Sequence, residues 1–235
     1  MIRTLISLEL KGMRMYLLYI IVSMVLMPAS FLIVMILNMK SVSAETLAYL
    51  ISGFIVASFV GTFIGTLAQR VSNVFDPSVL ELYATFPATI RQIVLTIFGT
   101  YIILALPQTV IALVFLFYYS SVNIGLLLLA LILTVLEMGG LGIFLGLAVR
   151  NPYKVQAVVA VLPWVLIVFS PTYYKASSSV FLLDPVTSLL NVLRTAVGVG
   201  VVDTISLAIP IILTAILWGY IYRNVQTSYM LEKPF

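Results

Sequence analysis

One carboxylate, Glu137, sits in the middle of the apolar run Ile124–Val149 and is the only ionisable side chain so deep in any such run. Holding a charge there costs a few kcal/mol even on lenient insertion scales, so a partner or a cavity must compensate. Two chemistries fit. One is contact with a substrate or a cation. The other, structural and favoured by desolvation, is a protonated carboxyl hydrogen-bonded to a neighbouring helix. The rest of the reactive inventory is short. The 235-residue chain has no cysteine, hence no thiolate nucleophile, disulfide framework or Cys-based metal site. It has no histidine, the usual proton shuttle and commonest metal ligand. There is no GxxxxGK(S/T) phosphate loop, no Ser–His pairing, no pair of carboxylates at the end of an apolar run and no TVGYG filter. The expectation is a chain that is not an enzyme, holds no metal and no cofactor of its own, and hydrolyses no nucleotide. Intramembrane proteolysis lacks both a histidine and two intramembrane aspartates.

The elements that would position Glu137 follow from composition. Hydrophobic residues make up 63% of the chain and charged residues 9%, against roughly 25% charged in soluble domains. Such an excess has no water-soluble core large enough to hide it, so the class is an all-α polytopic membrane protein. A hydrocarbon core about 30 Å thick needs roughly 20 helical residues. Six runs are expected to span: Tyr16–Met39, Leu47–Ala68, Ile93–Tyr118, Ile124–Val149, Val155–Ser170 and Thr204–Tyr222. Six spans put both termini on one side, and lysine and arginine choose the side. With the termini inside, nine basic residues (Arg3, Lys11, Arg14, Arg70, Arg91, Arg150, Lys154, Arg223, Lys233) are cytoplasmic and three (Lys40, Lys175, Arg194) are not. The net charge of +4 therefore reads as topology and implies no nucleic-acid partner. Residues 1–235 form one domain, with residues 1–15 either an interfacial amphipathic helix or an ordinary basic flank.

Within the spans, Gly53, Ala57, Gly61 and Gly65 recur at four-residue spacing, a stripe that lets another helix approach closely. The neighbour is either another span of the same chain or a second subunit. Gly142 and Gly146 repeat the theme. Pro28, Pro107, Pro163 and Pro210 fall inside spans and bend their helices.

Two short stretches between spans begin alike. In "FDPSVLELYATFPATIRQ", Asp76 is an N-cap and Pro77 takes the first helical position. Val79, Leu82, Tyr83 and Phe86 form an apolar face, and Pro87 stops the helix. In "FLLDPVTSLLNVLR", Asp184 and Pro185 start a second helix, with Val186, Leu189, Leu190 and Leu193 as its stripe and Arg194 after it. It is too short to span, so it is interfacial or re-entrant on the outer side.

Together these features resemble the type 2 permeases of ABC transporters, mostly exporters, over nearly the whole chain. The carriers are "LELYATFPATIRQIVL" (acidic residue, apolar pair, proline, then arginine ahead of the third span) and "DPVTSLLNVLR" (Asp-Pro-x-Thr ending in Leu-Arg before the last span). The resemblance implies a dimer, with a second copy or a homologous permease, in the plasma membrane. Each subunit would be bound by a separate cytoplasmic ATPase, two copies in all, holding the ATP and Mg. It makes residues 69–92 a coupling loop whose helix maps onto Asp76–Ala84, with Glu81 at the family's acidic position. The contact expected with the ATPase is Asp76, Pro77, Val79, Leu82, Tyr83 and Phe86, with Glu81 at the rim. Residues 171–203 become an outer re-entrant gate containing Pro171, Asp184, Pro185 and Arg194. The second and fifth spans would line a pathway, with Ser52, Ser58, Thr62, Phe63, Trp164 and Phe169 along it. The stretch "NVFDPS" departs from many members, which carry a charged pair and a glycine there, so the groove of the ATPase would differ too. Two other classes share these features: a membrane assembly or accessory protein that moves nothing, and an ATP-independent channel or scramblase.

Overall fold

The computed structural model describes residues 2–14, 26–38, 43–84, 88–175, 179–201 and 203–225, and every regular element among them is helical. Five are short: Ile2–Met13 (α1), Met27–Leu37 (α2), Pro77–Ala84 (α4), Pro185–Ala196 (α8) and a single 3-10 turn, Ser179–Leu183, just ahead of α8. Five are long and apolar enough to cross a membrane: Ala44–Asn73 (α3), Ile90–Tyr119 (α5), Ile124–Val149 (α6), Pro152–Phe169 (α7) and Thr204–Asn224 (α9). The chain is an all-helical, multi-pass membrane protein. Of the first expected span, Tyr16–Met39, only residues 26–38 are described, and there α2 takes up 11 residues. The remainder of that run lies outside the described residues.

The long helices start where the sequence caps them. Ser43 accepts the Thr46 N–H at 3.2 Å and opens α3. Thr89 and Gln92 form a reciprocal capping box that starts α5 three residues earlier than hydropathy alone indicates. Asn123 accepts the Leu126 N–H ahead of α6, and Asn151 those of Tyr153 and Lys154 ahead of α7, where Pro152 takes the first turn. Pro107, Pro163 and Pro210 lie inside α5, α7 and α9, while Pro28 falls in the first turn of α2. The second expected span, Leu47–Ala68, proves longer. It widens into a π-helix over Val60–Leu67 and runs on to Asn73.

Burial makes α3 the axis of the bundle. In its most apolar window 78% of residues are buried, against 17% for α7 at the periphery. The α6 helix lies directly on it: a Cβ on Gly142 would collide with the Phe63 carbonyl, and one on Gly146 would come within 2.7 Å of the Ala68 carbonyl oxygen. Small residues at these two points replace the hydrophobic drive that lipid does not supply. Around the contact, the rings of Phe59, Phe63, Phe98 and Trp218 follow one another at 5.7, 5.8 and 5.3 Å between centroids, joining α3, α5 and α9.

The two ends of the bundle differ. One gathers α1, the end of α3, α4 and the turns around Arg91, Arg150 and Tyr222. There the Arg91 guanidinium lies 4.6 Å from the Tyr222 ring centroid, and that of Arg150 lies 5.4 Å from Phe75. This is the basic end. The far end carries the starts of α3, α6 and α9 and the stretch after α7.

The far end also admits α8. It is too short to span, yet Val186, Leu189, Leu190, Val192 and Leu193 are fully buried. The Asn123 N–H donates to the Ala196 carbonyl at 2.8 Å, pinning the end of α8 to the start of α6. A helix of 12 residues extends about 18 Å at about 1.5 Å per residue, so Asp184 reaches nearly the depth of Glu137.

Candidate functional site

At the basic end the feature that sequence reasoning singled out is present as α4. Asp76 caps it: its Oδ1 accepts the Ser78 N–H at 3.0 Å and the Ser78 hydroxyl at 2.6 Å. These bonds hold its carboxyl below the usual range. Pro77, Ser78 and Glu81 are exposed. The side chain of Leu82 and all of Phe86 lie outside the described residues.

The apolar stripe of α4 faces the opposite way from the one the sequence led us to expect. Tyr83, expected to seat in a partner, is only 2% exposed, and Val79 packs on the chain's own core. The Tyr83 hydroxyl donates to Glu9 Oε1. Arg70, at the end of α3, donates from Nη2 to the same oxygen at 2.8 Å, from Nε to Oε2 at 3.1 Å, and from Nη2 to the Tyr83 hydroxyl at 2.9 Å. Burial keeps the Tyr83 phenol well above its ordinary titration range. Three elements, α1, α3 and α4, thus meet on one carboxylate. Tyr101 of α5 stands close enough to feel both charges. Sequence reasoning missed Glu9 and Arg70. The available signal was positional: Leu5, Glu9 and Met13 recur every four residues, so an acid occupies the buried stripe of α1.

A second cluster closes the far end. Arg194, 4% exposed on α8, donates from Nη2 to the carbonyls of Pro171 and Thr172 at 2.8 and 2.9 Å. Its guanidinium stacks 3.5 Å from the centroid of Tyr49. The Tyr49 hydroxyl donates to the Pro171 carbonyl at 3.1 Å and to that of Tyr174 at 2.6 Å. The strap 170–174 is therefore held from both sides, by α3 and by α8. No carboxylate pairs with Arg194 among the described residues, and its Nε has no hydrogen-bond partner. Burial draws this guanidinium down to about 10. Asp184 caps α8 by accepting the Val186 N–H at 2.8 Å, with Pro185 next. Its half-buried carboxyl is pushed up to about 6. Of the residues expected at an outer gate, Pro171 and Arg194 touch, while Asp184 and Pro185 lie at the deep end of the same helix.

The small-residue stripe of α3 packs within its own chain at both ends. A Cβ on Gly53 would strike the Thr172 carbonyl, Ala57 is buried beside Tyr173, and Gly65 lies against Pro163. Only Gly61 has open space before it.

The six residues expected along a pathway do not share a surface. Ser52, Ser58, Thr62 and Phe63 are buried within the bundle because α3 is its axis, and Phe169 is exposed at the periphery. The two serines are spent on their own helix, donating to Tyr49 and Phe54 carbonyls at 2.6 and 2.7 Å. Thr62 accepts from Gln108 Nε2 at 3.3 Å, a buried polar contact between α3 and α5. Trp164 on α7 is half-buried.

Glu137 is fully buried, and neither of its oxygens has a hydrogen-bond partner among the described residues. It shares a buried face of α6 with Ala130, Leu133 and Thr134. No group of three or more metal-ligating acids is found among the described residues.

No protein-family model matches this sequence, and no curated protein matches it.

Proposed function

We propose that this chain is the membrane-spanning permease subunit of an ABC transporter of the exporter type. It works as a dimer in the plasma membrane with both termini cytoplasmic, and separate ATPase subunits drive it. The observation that supports this reading is α4: a capped helix of 8 residues, too short to span, standing at the end where most arginines and lysines gather and tied to α3 through Arg70 and Tyr83. A helix serving only as a connection needs no ionic anchor. The exposed edge of Pro77, Ser78 and Glu81 is the surface left for an ATPase, and Glu81 gives it a negative charge. On this reading nucleotide binding in the partner biases two arrangements of the bundle, and no chemistry occurs in this chain. The buried α8 and the strap 170–174 then form the outer closure.

Co-expression with a P-loop ATPase subunit tests the proposal. The complex is expected to co-purify with the wild-type chain and to be lost on Glu81→Arg, with the permease itself still folded. If no ATPase is retained by the wild type, or Glu81→Arg retains it equally, the proposal fails.

A further inference from the structure

A carboxylate in the buried stripe of an otherwise apolar helix face needs a compensating partner, and Glu9 has two. It is 4% exposed and receives three hydrogen bonds, two from Arg70 and one from Tyr83. The donors come from elements 61 and 74 residues further along the chain. Arg70 retains a path to solvent, with its side chain 26% exposed, whereas the Glu9 side chain is 3% exposed. The acid is therefore the centre of the cluster, and both other members are oriented by it. A bidentate arginine–carboxylate pair fixes direction as well as distance. The tyrosine hydroxyl bonded to both members fixes α4 against the pair. The neighbouring positions of the same stripe are filled by Leu5 and Met13.

We propose that Glu9, Arg70 and Tyr83 act as one positioning unit that makes α1 and α4 a single body with the end of α3. A load applied to α4 is then shared by the N-terminal helix as well as by the long helix. The inference rests on the permease reading only for what applies the load; the rigid linkage is a property of this chain alone.

The absence of native cysteine makes the test direct. Cysteines introduced at the exposed positions Ser7 on α1 and Ser78 on α4 carry spin labels in the full chain, reconstituted in lipid nanodiscs. A single narrow distance peak is expected in the otherwise wild-type background. Glu9→Ala and the near-isosteric Glu9→Gln are expected to lose it, and Tyr83→Phe to broaden it. Glu9→Arg alone should also lose the peak, and pairing it with Arg70→Glu should restore it, a rescue that a purely space-filling role does not produce. An unchanged peak in Glu9→Gln, or no recovery in the charge-reversed pair, overturns the linkage. Failure to bind an ATPase overturns the permease reading and leaves these distances as they are.

Discussion

Two helices of this protein open with the same dipeptide after the same kind of apolar lead-in, and they end in opposite surroundings. Asp76-Pro77 starts α4 at the basic end, where the cap is open to water and one edge of the helix is exposed. Asp184-Pro185 starts α8, which is buried nearly all round between other helices. Each helix is secured by an arginine. Arg70 is answered by a carboxylate in bidentate geometry and keeps contact with solvent. Arg194 is answered by two carbonyls and the face of Tyr49, and no acid offsets its charge among the described residues. The basic end is therefore held by an ion pair that survives small shifts. The far end depends on the strap staying where it is, since both hydrogen bonds that Arg194 donates end on strap carbonyls. On the permease reading proposed above, the ion-paired end is the one that takes the load and the carbonyl-held end the one that changes state.

The largest test of the contrast is to remove each arginine's support. Arg194→Ala deletes two charge-assisted donors and the stack on Tyr49, an expected loss of about 2–4 kcal/mol after the relief of a buried charge is counted. Thermal unfolding in detergent reads it, together with labelling of a cysteine placed at Thr172, which should become reactive. Glu9→Gln at the other end leaves Arg70 able to turn toward water, and about 1–2 kcal/mol is expected. Equal losses at the two ends would dissolve the distinction. Tyr49→Phe costs least of the three, because the ring under Arg194 remains while two carbonyls lose a shared donor, at about 1 kcal/mol.

Much of this frame was legible beforehand. Length and hydropathy delimited the five long helices to within a few residues, because lipid imposes a minimum run that composition alone reveals. Both aspartates were recognisable as caps, since the Asp-Pro pair satisfies the first turn by itself. The direction in which α4 faces was not legible. Val79 and Tyr83 form the same stripe whether they press on a partner or on their own chain, and only Glu9, far back in sequence, decides. Arg70 reads as an ordinary basic flank of a span until its partner is seen. The burial of Ser52, Ser58 and Thr62 was hidden for a similar reason. A hydroxyl that bonds its own helix looks, in one dimension, like a hydroxyl facing a pathway. The π-helical stretch Val60–Leu67 carries no local mark beyond Gly61 and Gly65.

The smallest expected effects give the sharpest comparison, because the two caps should respond to pH with opposite sign. Asp76 is held below its ordinary value by the Ser78 hydroxyl and N–H. Its contribution is present above the unfolded-state value of about 3.9 and is lost as pH falls through the lower folded-state value. Asp184 is raised by burial to about 6. Its contribution is fully present below about 3.9 and is lost as pH rises through about 6, since the unfolded chain then ionises more readily than the folded one. Asparagine retains a cap at either site while removing the titration. Asp76→Asn should therefore be less stable than wild type at pH 7, with the gap closing in acid. Asp184→Asn should be more stable than wild type at pH 7, with that gap closing as pH drops below about 6 toward about 4. Subtracting each variant from wild type across about pH 2–8, a range that reaches below the unfolded value of about 3.9, cancels every other titrating group on the chain. Gaps of the same sign would mean that the two caps share one environment, and that α8 is as open to water as α4.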